Sequence, residues 1–305
     1  MSPPFRIGTR GSPLALTQAN MVADALRAAH GWDADAVELV VIRTTGDKVQ
    51  DRALAEIGGK ALWTKELDRA LLDGEIDCAV HSMKDVETIR PETIAIAAML
   101  PRADVRDRLI GANDIAALAH GARIGTSSPR RRAQLLRLRP DLQIQLLRGN
   151  VDTRLAKLAG GECDATLLAA AGLDRLGKRD VGHAITTDVM LPAPAQGAVG
   201  IEARADDMAT RHLLAAIDDA PTHACVLVER ALLAGLGADC HSPVAALATV
   251  TDERLILTAQ LLTADGSEQI AGEASGGPGD PTIGHILARD LLARAPEAVR
   301  RLFNP

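Results

Sequence analysis

The sequence predicts an α/β protein with mainly parallel sheets, followed by a C-terminal α+β part. Three observations carry this. Short apolar runs alternate with helical patterns up to about residue 200, a pair of motifs recurs in the same order, and the pattern changes near residue 220. Alternating strand and helix units imply parallel, buried sheets with helices on their faces.

The elements follow in order. "RIG" at 6–8, "VELVVIRT" at 37–44, "IDCAVHS" at 76–82 and "TIAIAAML" at 93–100 read as strands. "SPLALTQANMVADALRAAHG" at 12–31 and "LWTKELDRALLDG" at 62–74 read as helices, and the alternation recurs over 122–200. A helix at 221–235 then precedes strand-like "VAALATV", "RLILTAQLL" and "EQIAGEAS", with "GGPGDP" at 276–281 as a loop before a last helix at 281–294. The recurring motifs are "RIGTRGSP" at 6–13 with "RIGTSSP" at 123–129, and "GEIDCAV" at 74–80 with "GECDATL" at 161–167. They point to two related α/β domains. In each, Ser12 or Ser128 fits a helix N-cap, and Pro13 or Pro129 fits the first helical position.

Composition excludes several classes. A chain of 305 residues has room for two or three domains. No apolar run reaches membrane-spanning length, and residues 1–20 lack a basic-then-apolar pattern, so the expected location is the cytoplasm, with no membrane partner. Four cysteines, irregularly spaced and without a CxxC, argue against a disulfide framework and a structural zinc; no metal is expected. Cys78, Cys163 and Cys225 read as inert and buried within apolar elements. Two Trp, two Phe, no Tyr and a net charge of -6 argue against a nucleic-acid partner.

Positive charge is nevertheless concentrated in one place. Residues 123–154 hold eight arginines and only two acids, Asp141 and Asp152. Arg130, Arg131 and Arg132 fall at a predicted helix start, where the helix dipole disfavours cations. An anion bound there resolves the conflict, because a helix start offers free N–H groups. Arg148 at a strand end and Arg154 one turn into the next helix face the same sheet edge, as does Arg10 in the first such loop. Guanidinium forks suit carboxylates or phosphates. The competing reading is a solvated face, which Arg137 and Arg139 would continue.

Three further stretches carry candidates. "VHSMKD" at 80–85 ends a buried strand with Ser82, Lys84 and Asp85, and a carboxylate among cations would stay ionised and face developing positive charge. "GADCHSPV" at 237–244 places Cys240 in an exposed loop, a candidate nucleophile or attachment point with His241 beside it. "TTGDKVQDRALAEIGGKALW" at 44–63, with Lys60 near its end, reads as a lid or as an ordinary surface loop.

The motifs "GTRGSPLAL", "GGKALWTKEL", "DCAVHSMKD", "GTSSPRRRAQL", "LRGNVDTRL", "AAAGLDRLG", "PAPAQGAVGIE" and "ER…CHSPV" occur in order along the chain. In them the sequence resembles the porphobilinogen deaminase (hydroxymethylbilane synthase) family from end to end. The resemblance implies two periplasmic-binding-protein-like domains and a third α+β domain. The first would be discontinuous, residues 1–98 and 199–218; the second would span 103–192 and the third 220–305. The implied reaction condenses four porphobilinogen units head to tail with loss of ammonia, then releases hydroxymethylbilane by hydrolysis. Cys240 matches the residue that anchors a dipyrromethane cofactor through a thioether. Asp85 matches the catalytic carboxylate. Lys84, Ser128, Arg130 and Arg131 match cofactor binders, and Arg10, Ser12, Arg148 and Arg154 match substrate binders. Lys60 matches the cover loop. The family is usually monomeric.

The sequence departs from the family pattern around the anchor. Ala238 and Asp239 stand where two small residues are usual, and Ser242 where Ile, Val or Thr is usual. Trp63 and Pro129 replace a common Phe and Leu. The alternative reading is a two-lobed, non-catalytic binder of a small anion, which needs neither Cys240 nor a third domain.

Overall fold

A computed structural model describes residues 3–43 and 64–303. The stretch proposed as a lid, with Lys60 and Trp63, lies outside the described residues. The first elements are β1 (Phe5–Arg10), α1 (Pro13–His30), β2 (Val37–Ile42), α2 (Lys65–Leu72), β3 (Cys78–Ser82) and β4 (Ile94–Met99). Next come β5 (Asp107–Ile110), β6 (Arg123–Gly125), α3 (Pro129–Leu138), β7 (Gln143–Gln145), α4 (Val151–Ala159), β8 (Ala165–Ala169), α5 (Ala170–Arg175) and β9 (His183–Ala184). Then follow β10 (Val199–Arg204), α6 (Met208–Ala215), α7 (Ala220–Leu236), β11 (Val244–Thr251), β12 (Arg254–Leu262), β13 (Gln269–Gly276), α8 (Thr282–Arg294) and α9 (Glu297–Arg300).

The chain divides into two compact units, Met1–Ala103 with Ala198–His223, and Asp104–Gly197 with Ala224–Pro305. The first unit holds a five-stranded sheet in the order β2-β1-β3-β10-β4. β1 runs parallel to β2 and β3, while β10 is antiparallel to β3 and β4, so four strands share one direction. The second unit repeats the plan as β7-β6-β8-β5-β9, with β5 as the reversed strand. These are the mainly parallel sheets that the resemblance implied. β10 joins the first sheet although it follows the second in sequence. The second unit also holds the antiparallel sheet β11-β12-β13.

The sequence repeat has a physical content. Asp77, just before β3, accepts from the backbone N–H of Arg6 at 2.7 Å and pairs with its guanidinium at 2.7 Å. Asp164, just before β8, does the same for Arg123, at 2.7 and 2.6 Å. The acid thus ties the start of one strand to the next in both sheets. Gly8 and Gly125 are equivalent too. A Cβ on Gly8 would run into the Ile76 side chain, and one on Gly125 would lie 2.7 Å from Leu147 and 2.9 Å from the Cys163 sulfur. Only glycine lets the strand and the following segment approach so closely.

Each sheet has its own core. Ile7, Val22, Leu26, Val80 and Ile201 fill the first; Leu109, Ile124, Leu135 and Leu167 fill the second. Leu257 and Leu261 of β12 pack with Val228, Leu232, Leu287 and Leu291 of α7 and α8. Cys163 is buried as expected but lies in the turn before β8 rather than inside an element. Among the described residues, no helix is long and apolar enough to cross a membrane.

Helices α7 and α8 touch backbone to backbone at Gly284, where a Cβ would lie 2.6 Å from Leu232 N. Gly284→Ala must therefore push the helices apart. The expected loss is about 1–3 kcal/mol in denaturant unfolding, with an unchanged m-value.

Candidate functional site

In the first unit, β1 ends at Arg10 and α1 starts after Ser12, whose hydroxyl accepts from Ala15 N–H at 3.2 Å. Thr9 is buried and donates to Ala15 O at 3.1 Å, fixing the loop between them. β3 ends at Ser82 and passes into a single 3₁₀ turn, Met83–Asp85. The Met83 side chain lies over Gly200 of β10, where a Cβ would collide with its sulfur. That anchor turns Lys84 and Asp85 outward, half-buried and exposed respectively. One pocket is then lined by Arg10, Ser12, Gln18, His81, Ser82 and Asp85. The structure therefore brings together three of the predicted residues, Arg10, Ser12 and Asp85. Gln18 and Ser82 brace each other through two hydrogen bonds, at 2.8 and 3.1 Å.

Behind the pocket lies a buried charge network that sequence reasoning missed. Glu202 of β10 is wholly buried, accepts twice from Arg90 at 2.8 Å and lies 3.2 Å from His81 Nε2. Arg90 also reaches Asp68 at 2.5 Å and Glu87 at 2.9 Å. Burial alone would push the Glu202 carboxyl up, but His81 and Arg90 bring it down to about 2. Asp68 goes the other way, raised chiefly by burial.

In the second unit, Ser128 caps α3, accepting from Arg131 N–H at 3.4 Å, and Pro129 takes the first helical position. Arg130 and Arg131 are not solvated: both are buried. Each donates to one oxygen of Asp107 at 2.7 Å. Each also donates to a backbone carbonyl at 2.8 Å, Arg130 to Leu191 and Arg131 to Leu167. Gln196 adds a bond to Asp107 at 2.9 Å. The anion required at this helix start is thus partly resident in the fold. Burial would push the Asp107 carboxyl up; the two guanidiniums override it and hold it far below the usual carboxylate range. Two cations on one carboxylate still leave a net positive charge. The Nε groups of Arg130 and Arg131 are buried and make no hydrogen bond. Arg132 and Arg137 are exposed.

β7 ends three residues before Arg148, and Asn150 caps α4. Arg154 lies in the first turn and donates to Gly149 O at 2.9 Å. Nη1 of Arg148 is buried without a hydrogen bond. Cys240 is exposed in the loop between α7 and β11. Its neighbours are braced: the Asp239 carboxylate accepts from His241 N–H at 2.8 Å, and the Ser242 hydroxyl accepts from Asp239 N–H at 3.2 Å. Among the described residues, no cluster of three His, Cys, Asp or Glu is placed to hold a metal.

Residues 5–212 match the family model "Porphobilinogen deaminase, dipyromethane cofactor binding domain", and residues 223–293 match "Porphobilinogen deaminase, C-terminal domain". The chain belongs to the porphobilinogen deaminase family. The porphobilinogen deaminase of Sphingopyxis alaskensis is 60% identical, covering 98% of this chain and 96% of its own. That of Paracoccus denitrificans is 54% identical, covering 96% and 95%. Among solved structures, a periplasmic substrate-binding protein of an ABC transporter from Coxiella burnetii is similar with a TM-score of 0.40 at 15% identity, covering 70% of this chain and 91% of that one. Within the porphobilinogen deaminase pattern, the departures at Asp239 and Ser242 bond to each other, and Ala238 is buried. Asp107 carries no local sequence signal, because its partner Arg130 lies 23 residues away. Gln196 and Glu202 lie inside the quoted motif "PAPAQGAVGIE" without an assigned role.

The depressed Glu202 carboxyl fixes a sign for acid stability. Its folded value of about 2 lies below the ordinary 4.5, so its contribution is present above pH 4.5 and lost as pH falls toward 2. Asp107 acts in the same direction. Unfolding free energies measured from pH 6 to pH 3 should fall, with Glu202 alone accounting for about 3 kcal/mol over the full window. Glu202→Gln should flatten that slope.

Proposed function

We propose that the chain is a transferase that condenses four porphobilinogen units head to tail with loss of ammonia and hydrolyses the product to hydroxymethylbilane. The observation that carries the reading is the placement of Asp85 at a strand's C-terminal end, in one pocket with Arg10 and Ser12. Porphobilinogen brings carboxylates, a pyrrole N–H and an aminomethyl group. Arg10 and Ser12 take a carboxylate, and Asp85 accepts from the pyrrole N–H. As ammonia leaves, positive charge develops on the pyrrole, and the fixed carboxylate stabilises it.

The second unit supplies the anchor. Its residues fit a dipyrromethane with carboxylates on both rings: Arg130 and Arg131 carry residual positive charge and orphaned, buried Nε donors, and Cys240 offers an exposed thiol. Cys240 would hold one end by a thioether, while Arg130, Arg131 and Ser128 hold its carboxylates; Lys84 belongs to the cofactor-binding set by resemblance. When bound, this group supplies the free pyrrole carbon to which the first porphobilinogen is joined. Arg148, with its unsatisfied Nη1, and Arg154 bind carboxylates of incoming or growing chain. Lys60 belongs to the substrate-binding set by resemblance. Three sheets with separate cores support three domains, 1–98 with 199–218, 103–192 and 220–305. The working form is a cytoplasmic monomer.

Intact-mass spectrometry of protein expressed with porphobilinogen available tests the anchor: the mass should exceed the polypeptide by a dipyrromethane, and Cys240→Ser should abolish the increment. A bare mass for the unaltered protein would sink the assignment. Asp85→Asn should keep the increment yet lose about 100-fold or more in kcat. Arg148→Leu should raise KM about 10-fold or more by removing a charged clamp; unchanged kinetics would remove it from that role.

A further inference from the structure

The C-terminal sheet meets the arginine helix at one point. The β12–β13 hairpin closes in a rigid turn. Thr263 and Glu268 exchange backbone and hydroxyl bonds at 3.0 Å, and Gly266 N–H donates to Thr263 O at 3.0 Å. The Asp265 carboxylate accepts from both the backbone and the hydroxyl of Ser267, at 3.1 and 2.8 Å. At the tip, Gly266 has φ +71 and rests on the backbone of α3. A Cβ there would lie 2.6 Å from Arg137 N and nearer still to Ala133 O. Flexible side-chain ends can give way to a methyl; helix backbone cannot.

Both partners in this contact are stiff. α3 is locked at its start by the Arg130 and Arg131 pairs to Asp107. β12 is paired along its length with β11, from Val244↔Leu261 to Thr251↔Arg254. β11 begins four residues after Cys240. Its own start is tied back to the same arginine: Ala246 N–H donates to Pro192 O at 3.0 Å, and the adjacent Leu191 O accepts from Arg130. Displacing the turn therefore moves either the guanidiniums or the strand that follows the thiol.

We propose that Gly266 is a positioning residue for the cofactor, setting the register between the Cys240 loop and the Arg130–Arg131 pair. This rests on the reading that thiol and guanidiniums hold two parts of one group. Attachment needs only the thiol, whereas turnover needs the attached pyrrole in the right place. A misplacement of order 1 Å costs up to about 100-fold in rate.

The test compares Gly266→Ala with Gly31→Ala. Gly31 has φ +64 and nothing within 4 Å of a Cβ, so it carries the same left-handed backbone penalty without a contact to disturb. Adduct mass, thermal midpoint, kcat and KM are measured on the expressed full-length enzyme. Both variants should carry the adduct; Gly31→Ala should lose little in midpoint, and Gly266→Ala more, because its methyl meets helix backbone. Gly266→Ala alone should lose about 10- to 100-fold in kcat with KM within about twofold. Wild-type kcat in Gly266→Ala, or equal losses in both variants, overturns the proposal. So does a Gly266→Ala chain that fails to fold while Gly31→Ala folds, because the contact then serves the fold alone. An unaltered protein without adduct and turnover overturns the parent reading, and this one with it.

Discussion

The second unit depends on one carboxylate shared by two guanidiniums. Asp107 lets Arg130 and Arg131 sit side by side, buried, at a helix start whose dipole opposes both. Removing it would strand two buried cations, the kind of loss that costs about 3–5 kcal/mol. The same pairing is incomplete by design of charge: one carboxylate cannot neutralise two cations. What remains is a positive site whose terminal nitrogens are held by Asp107 and two carbonyls, so a bound anion meets donors already oriented. Such preorganisation lowers the entropy cost of binding.

The two five-stranded sheets share a frame and differ in charge. Arg6–Asp77 and Arg123–Asp164 hold equivalent strand pairs, and Gly8 and Gly125 allow the same close approach. On that common frame, Leu14 and Ala15 follow the first helix start where Arg130 and Arg131 follow the second. The first frame instead follows its third strand with a turn that carries Asp85, beside the buried Glu202–Arg90 network. One copy carries a carboxylate beside Arg10 at its rim and the other a buried arginine pair, while the ties between strands are the same.

Much of this was legible in the sequence. Strand and helix periods, the Ser-Pro helix starts and the repeat gave the α/β frame, and the helix caps at Ser12 and Ser128 are as read. The exposed cysteine was distinguishable from the three buried ones by the Gly, Asp and Pro around it. The reversed strands were not legible from pattern alone. β5 (DRLI) and β10 (VGIEAR) carry no residue pattern that marks direction, which depends on where the chain re-enters the sheet. Burial of Arg130 and Arg131 was hidden for a related reason. A run of three arginines reads as solvated unless its counter-ion is known, and Asp107 sits on a different strand.

The loop before β11 keeps its shape through two side-chain acceptors. Asp239 and Ser242 each depart from the usual residue, and each satisfies a backbone group of the other's segment. Changing Asp239 leaves the His241 N–H without its acceptor, and changing Ser242 leaves the Asp239 N–H without its own, each independently of the other. A graft of this segment into a relative would have to supply an acceptor for each of the two N–H groups.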